Sequence, residues 1–107
     1  MLPSLLMGRK SAHKEVPARP NISLPKGKLF AEWTSARDSL ELSDAAVQML
    51  RELGIRPKAV GEFLRKAKRR GWRGSGYKYI AYRYRNVFEA ILTDAESLEE
   101  QKARETQ

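Results

Sequence analysis

Helix-start and helix-stop residues divide the middle of this chain into two short helices joined by a tight turn. Ser43 is a favourable N-cap and Gly54 a favourable stop, so "SDAAVQMLRELG" predicts one helix between them. Pro57 suits the first turn of a second helix, which runs to Arg70 and ends at Gly71. We therefore expect an all-α fold, a small domain of four to five helices built around this pair.

Apolar residues at three- and four-residue spacing extend the helical pattern to both sides of the pair. Residues 29–40 form one amphipathic stripe, and a longer one runs from Ile80 to Leu92. Thr93, with Glu96 three residues later, predicts a capping box that begins a last, acidic helix. The side chains expected to face inward are Leu29, Phe30, Trp33, Leu40, Ala46, Val47, Leu50, Leu53, Val60, Phe63, Leu64, Ala67, Ile80, Tyr84, Val87, Phe88, Ile91 and Leu92.

Residues 70–84 admit two interpretations. Gly71, Gly74 and Gly76 require a turn, and the following "YKYIAYRY" is aromatic enough for a strand, which would give the β-hairpin of a winged helix. The long stripe with a 3.6-residue period favours a helix instead. In the helical alternative Tyr77, Ile80 and Tyr84 face the core, whereas Lys78, Tyr79, Tyr82 and Arg85 remain outside.

Positive charge is concentrated in two segments of a chain whose net charge is +8. Residues 63–85 contain nine bases and no acid, and residues 1–28 contain six bases and one acid. Such segregation is typical of proteins that bind a polyanion. Residues 1–28 also contain four prolines and few large apolar side chains, which predicts a flexible, disordered basic arm before a folded domain of residues 29–107.

Several classes of function are disfavoured by composition. Cysteine is absent, which removes disulfides, cysteine-ligated zinc and thiol catalysis, and the only histidine, His13, has no second ligand near it in the sequence. We expect no enzyme, catalytic residue, metal, cofactor or small-molecule substrate. Without a signal peptide or an apolar run long enough for a membrane span, we expect no membrane partner and a cytoplasmic protein, nucleoid-associated if bacterial.

The helix pair resembles the helix-turn-helix motif of DNA-binding proteins. If Gly54 is the turn glycine, apolar residues occupy the motif's packing positions, namely Met49, Leu53, Ile55, Val60 and Phe63. Leu50 departs from the motif, which usually has a small residue there. The resemblance covers only the two helices, and it implies that early exposed residues of the second helix meet DNA bases. Those candidates are Arg56, Lys58 and Glu62.

The remaining basic residues lie at or beyond the end of the second helix, where phosphate contact is expected rather than base contact. These phosphate-binding candidates are Arg65, Lys66, Lys68, Arg69, Arg70 and Arg73, followed by Lys78, Arg83 and Arg85. Trp72, on a glycine-flanked loop, and Tyr82 are candidates for entering a groove or stacking on a base. Arg9 and Lys10 of the arm are candidates for the minor groove.

Together these features predict a protein that binds duplex DNA, as a transcriptional repressor or as an accessory factor in DNA replication, partition or transfer. A homodimer is a further expectation, because helix-turn-helix proteins often bind as dimers. Two alternatives stay open. One is RNA binding, and the other is an interaction protein or inhibitor that docks on an acidic partner protein.

Overall fold

Within residues 16–106, which the computed structural model describes, all regular structure is helical. The α-helices of this range are α1 (Gly27–Ser39), α2 (Asp44–Glu52), α3 (Val60–Arg69), α4 (Gly76–Phe88) and α5 (Leu98–Glu105), with a 3-10 turn at Pro57–Ala59. This confirms the all-α prediction. The winged-helix alternative is wrong, because residues 70–84 form a loop and most of α4 rather than a hairpin.

Helix α2 begins and ends where its sequence predicts. The Ser43 hydroxyl accepts a hydrogen bond from the Ala46 amide at 3.0 Å, which satisfies one of the free donors at the amino end. At the carboxyl end the Ile55 amide donates to the Leu50 carbonyl at 3.0 Å. Gly54 provides the left-handed conformation that this Schellman motif requires, with φ of 79°.

The same motif ends α3. The Trp72 amide donates to the Ala67 carbonyl at 3.0 Å, and Gly71 has φ of 95°. The predicted helix from Pro57 to Arg70 is therefore confirmed, except that its first turn is a 3-10 turn. Both helices of the pair end in a turn that points the following residue back toward the domain.

The core lies where α2 and α3 pack against α4. Its fully buried side chains include Met49, Leu50, Val60, Ile80, Tyr84 and Leu98. Helix α1 contributes less than its stripe predicts, because Trp33 is buried but Leu29 and Leu40 are exposed. This difference arises because α1 packs mainly on the 3-10 turn rather than across the core.

The apolar stripe from Ile80 to Leu92 was expected to be one helix, and that prediction is wrong at its carboxyl end. Helix α4 ends at Phe88, and Glu89 adopts a left-handed conformation with φ of 50°. Residues 90–97 then run without regular structure, so the helical period no longer directs their side chains. Ile91 lies in this segment and is exposed, and Val87, in the last turn of α4, is exposed as well.

The predicted capping box at Thr93 and Glu96 is also wrong in position. The box is formed by Ser97 and Glu100, each of which accepts from the other's amide, at 3.0 and 2.9 Å. Starting the helix there places Leu98 in the core, where it is 2% exposed. The acidic helix α5 therefore begins later than predicted, and its first residue is buried.

The amino-terminal segment contacts the domain over the part that the structure describes. Residues 16–26 have no regular structure, but Leu24 is buried and Arg19 pairs with Glu52 of α2. A flexible arm is therefore not confirmed for these residues. The candidates Arg9 and Lys10 lie outside the described residues. No helix within residues 16–106 combines the length and apolarity that crossing a bilayer requires.

Candidate nucleic-acid interface

Nine basic residues of the acid-free segment are exposed on the end of α3, the following loop and α4. We call this the basic surface, and its members are Arg65, Lys66, Lys68, Arg69, Arg70, Arg73, Lys78, Arg83 and Arg85. Helical geometry explains the exposure on α3, because Val60 and Ala67 are buried on the inner side and Arg65 and Arg69 fall on the other.

Helix α4 presents its cations in the same way. Ile80 and Tyr84 are completely buried, so the helix is fixed in rotation about its axis. Lys78, Tyr82 and Arg85 follow one another at four- and three-residue steps and are all exposed. The tyrosine therefore lies on the solvent side of α4 between two cations.

Glu62 lies next to the basic surface and forms ion pairs with two of its arginines. Arg65 Nε donates to one carboxylate oxygen at 3.1 Å, and Arg69 Nη2 donates to the other at 2.7 Å. The bonds from Arg69 and then Arg65 lower the pKa of the Glu62 carboxyl. Both carboxylate oxygens of Glu62 therefore already accept from arginine, and a contact with cytosine would use their remaining acceptor capacity. The contact of Glu62 with cytosine stays a prediction.

Lys58, another early candidate for base reading, also forms an ion pair. Its ammonium lies 3.5 Å from a Glu32 carboxylate oxygen of α1. Helix α1 packs on the 3-10 turn, and residues of both elements line a groove of about 560 Å³. The groove is lined by Leu29, Glu32, Arg56, Pro57, Lys58 and Ala59. Two of the positions expected to meet bases, Arg56 and Lys58, thus lie beside α1.

Most of the basic surface lacks a balancing acid. Among residues 16–106, Glu62 is the only carboxylate that forms an ion pair with the basic surface, and it pairs with Arg65 and Arg69. No carboxylate of this range pairs with the other cations, Lys66, Lys68, Arg70, Arg73, Lys78, Arg83 and Arg85. Concentrated, unpaired positive charge repels itself and attracts an anionic partner.

An aromatic cluster lies within the basic surface. It consists of Phe63, Trp72, Tyr79 and Tyr82. The Trp72 ring centroid lies 5.2 Å from that of Tyr79 and 5.4 Å from that of Tyr82, and Tyr79 lies 5.2 Å from Phe63. Tyr79 is 7% exposed and Tyr82 is 50% exposed, so the cluster runs from the core to the solvent.

The indole of Trp72 is held in place by its own loop. Its Nε1 donates to the Ser75 carbonyl at 3.1 Å. A Cβ added at Gly74 would lie 3.1 Å from the same nitrogen, which is closer than side chains usually pack. A larger residue at position 74 would therefore require the indole to shift by a few tenths of an ångström.

Arg83 covers the inner part of the cluster. Its guanidinium lies 5.5 Å from the Phe63 ring centroid and 5.9 Å from that of Tyr79, within the range of cation–π contact. It also donates to the Tyr79 hydroxyl at 3.0 Å. This explains why Tyr79, which was expected outside, is buried. Tyr77, expected in the core, is instead exposed, and its hydroxyl donates to the Leu92 carbonyl at 3.1 Å.

No family model, curated protein or solved structure matches this chain. Within residues 16–106, no three histidine, cysteine, aspartate or glutamate side chains are grouped so that they could hold a metal ion. The basic surface offers guanidinium and ammonium groups, and the aromatic cluster within it offers ring faces.

A buried polar network around Glu52 escaped sequence-based prediction. The Glu52 side chain is 1% exposed and accepts from Arg19 at 2.8 and 2.6 Å, from Tyr84 Oη at 2.6 Å and from Gln48 Nε2 at 2.7 Å. Burial alone would raise the pKa of Glu52, but the bonds from Arg19, Tyr84 and Gln48 outweigh it and lower the pKa. One local feature of the sequence indicates that Glu52 faces inward: it lies one helical turn after Met49, on the inner face of α2.

Proposed function

We propose that this protein binds duplex DNA through the basic surface. The observation that carries the proposal is the absence of acidic partners, within residues 16–106, for most cations of that surface. Each Lys or Arg that approaches a phosphate releases condensed counterions, so such a surface binds DNA with an affinity that falls steeply as salt rises.

The proposed binding is mainly electrostatic, with a modest preference for sequence. We interpret α2 and α3 as a helix-turn-helix pair, which is supported by the tight turn at Gly54 and by the burial of Met49 and Val60. Lys58 and Glu62 already pair with Glu32, Arg65 and Arg69, so part of the hydrogen-bonding capacity of each is used within the protein. Sequence preference would then come largely from the shape and deformability of the DNA.

A protein that binds in this way acts by occupying DNA. We propose that it serves as a transcriptional repressor or as an accessory factor in DNA replication, partition or transfer. Both kinds of protein need a compact surface that holds the phosphate backbone, and the loop between α3 and α4 supplies such a surface with Arg70 and Arg73 exposed on it.

The test is a fluorescence-anisotropy titration of the full chain against a random-sequence duplex and a structured RNA, each at several salt concentrations. The double variant Arg70→Ala, Arg73→Ala removes two cations that form no ion pair within residues 16–106. A matched control, Lys102→Ala, Arg104→Ala, removes two cations from the acidic helix α5. Both variants have the same net charge, so any difference between them depends on where the charge lies.

We expect log K to fall with log salt at a slope of about −0.9 per phosphate contacted, and the basic-surface variant to reduce that slope by roughly two units. The α5 control should keep the wild-type slope. Equal losses in both variants, or no binding near physiological salt, would contradict the proposal. Tighter binding of structured RNA than of duplex would replace it with RNA binding. Binding of an acidic protein after nuclease treatment, without DNA binding, would replace it with the docking alternative.

A further inference from the structure

We propose that the aromatic cluster receives an unpaired nucleobase, so that the preferred substrate is duplex DNA that carries an unpaired nucleotide. This inference rests on the proposed binding of duplex DNA by the basic surface. It adds a substrate class: duplexes with a bulged nucleotide or a junction between double and single strands.

The first argument is the position of Tyr82. Its side chain is 50% exposed, although Trp72 and Tyr79 pack near it. Tyr82 lies between Lys78 and Arg85 along the outer side of α4. A base stacked on the Tyr82 ring would therefore have cations close to the phosphates on either side of it, and aromatic rings interleaved with cations are typical of grooves that hold unpaired bases.

The second argument concerns the kind of contact that the cluster allows. The Trp72 N–H already donates to the Ser75 carbonyl, and the Tyr79 hydroxyl accepts from Arg83. The Trp72 donor and one acceptor position of the Tyr79 hydroxyl are thus occupied within the protein, and the largest group that the exposed Tyr82 side chain offers is its ring. Ring surface binds a base by stacking, which tolerates any of the four bases because each has a π-face.

The third argument favours an unpaired nucleotide over an intact duplex as the partner of the cluster. Paired bases present only their edges in the grooves, while their faces are stacked on neighbouring pairs. A ring reaches a base face only where a step is unstacked or a base has left the stack, and both cost free energy in a paired duplex. Unpairing is least costly where the nucleotide already lacks a partner, so a bulge or junction is the favoured site.

The experiment compares three duplexes that differ at one position, by anisotropy at a single salt concentration. The first duplex is fully paired, the second has one bulged nucleotide, and the third has the same bulge without its base. Tyr82→Ala removes the exposed ring and Tyr82→Phe keeps it. Tyr77→Ala is the matched control, because Tyr77 is also an exposed tyrosine of α4 but is not part of the aromatic cluster.

We expect the wild type to bind the bulged duplex about tenfold more tightly than the paired one, a preference in the range expected for one stacked base. The bulge without its base should bind like the paired duplex. Tyr82→Ala should lose the preference, whereas Tyr82→Phe and Tyr77→Ala should retain it. A 2-aminopurine in the bulge should be quenched on binding to the wild type and less so on binding to Tyr82→Ala.

The outcomes separate the two proposals. Equal affinity for all three duplexes, with binding still dependent on salt, would overturn the inference and leave the binding of duplex DNA in place. Failure to bind any of the three would overturn the proposed function itself. If Tyr82→Ala unfolds, as judged by circular dichroism, the base-free bulge and the 2-aminopurine signal still test the inference with the wild-type chain.

Discussion

Glu52 and Glu62 each bind arginine in this protein, yet they lie in opposite environments. Glu52 is buried and accepts from Arg19, Gln48 and Tyr84, so its charge is enclosed and fully bonded. Glu62 is partly exposed and accepts from Arg65 and Arg69 of its own helix. The first carboxylate holds distant segments together, and the second lowers the charge of a surface that otherwise remains strongly positive.

The comparison shows which charges serve the fold and which remain available to a partner. Removing an acceptor from a closed, buried network leaves donors without partners, which destabilises the folded state. Removing an exposed acid releases two arginines into water, where they are well solvated. Replacing the carboxylate by an amide is therefore expected to lower stability at Glu52 and to change DNA binding at Glu62.

The largest effect is expected for Glu52→Gln. An amide has one acceptor oxygen where the carboxylate has two, so at least one buried donor would face the amide nitrogen. We expect a loss of about 2 kcal/mol in the free energy of unfolding, measured by urea denaturation. A change within the error of the measurement would show that the network contributes little to the fold.

The pH dependence of that loss in stability tests the low pKa of Glu52. The pKa of Glu52 is below its usual value of 4.5 in the folded chain and returns to it on unfolding. The stabilising contribution is therefore complete above pH 4.5 and is lost as the pH falls through the lower, folded value. The difference in stability between wild type and Glu52→Gln should accordingly shrink between pH 6 and pH 3. A difference that stayed constant or grew would contradict the low pKa.

Tyr84→Phe should have a smaller effect than Glu52→Gln. It removes one donor from the network and leaves the ring in the core, and we expect a loss of about 1 kcal/mol. Burial, and then the bond to Glu52, raise the pKa of Tyr84 to about 12. The wild type should therefore lose stability as the pH rises above 10, and Tyr84→Phe should lack that part of the loss. An identical alkaline profile in both proteins would count against the bond.

Glu62→Gln is expected to leave stability almost unchanged and to strengthen DNA binding. The substitution adds one unit of positive charge and releases Arg65 and Arg69 toward phosphate, so affinity for duplex should rise about threefold at low salt. The measurement is anisotropy beside urea denaturation of the same sample. Glu96→Gln is the control, because Glu96 also pairs with an arginine, Arg104, but lies outside the basic surface. Equal gains in both variants would mean that net charge, rather than the basic surface, governs binding.

Local signals were sufficient for the helix pair. Ser43, Gly54 and Gly71 predict the ends of α2 and α3 because caps depend on residues within one turn of each other. The same reasoning failed at the end of α4. A stripe of apolar residues continues beyond Phe88, but Glu89 turns the chain, and local spacing does not report that turn.

The sequence by itself determined that this is a helical protein with its positive charge concentrated in residues 1–28 and 63–85, since helix ends and charge are properties of neighbouring residues. Only the tertiary structure decided which of those charges are paired and which rings meet. Arg19 and Glu52 are 33 positions apart, and Tyr84 and Glu52 are 32 apart, so no local pattern predicts their bonds. Likewise Tyr77 and Tyr79 are the same residue type on the same helix, and the contacts of Tyr79 with Phe63, Trp72 and Arg83 bury it.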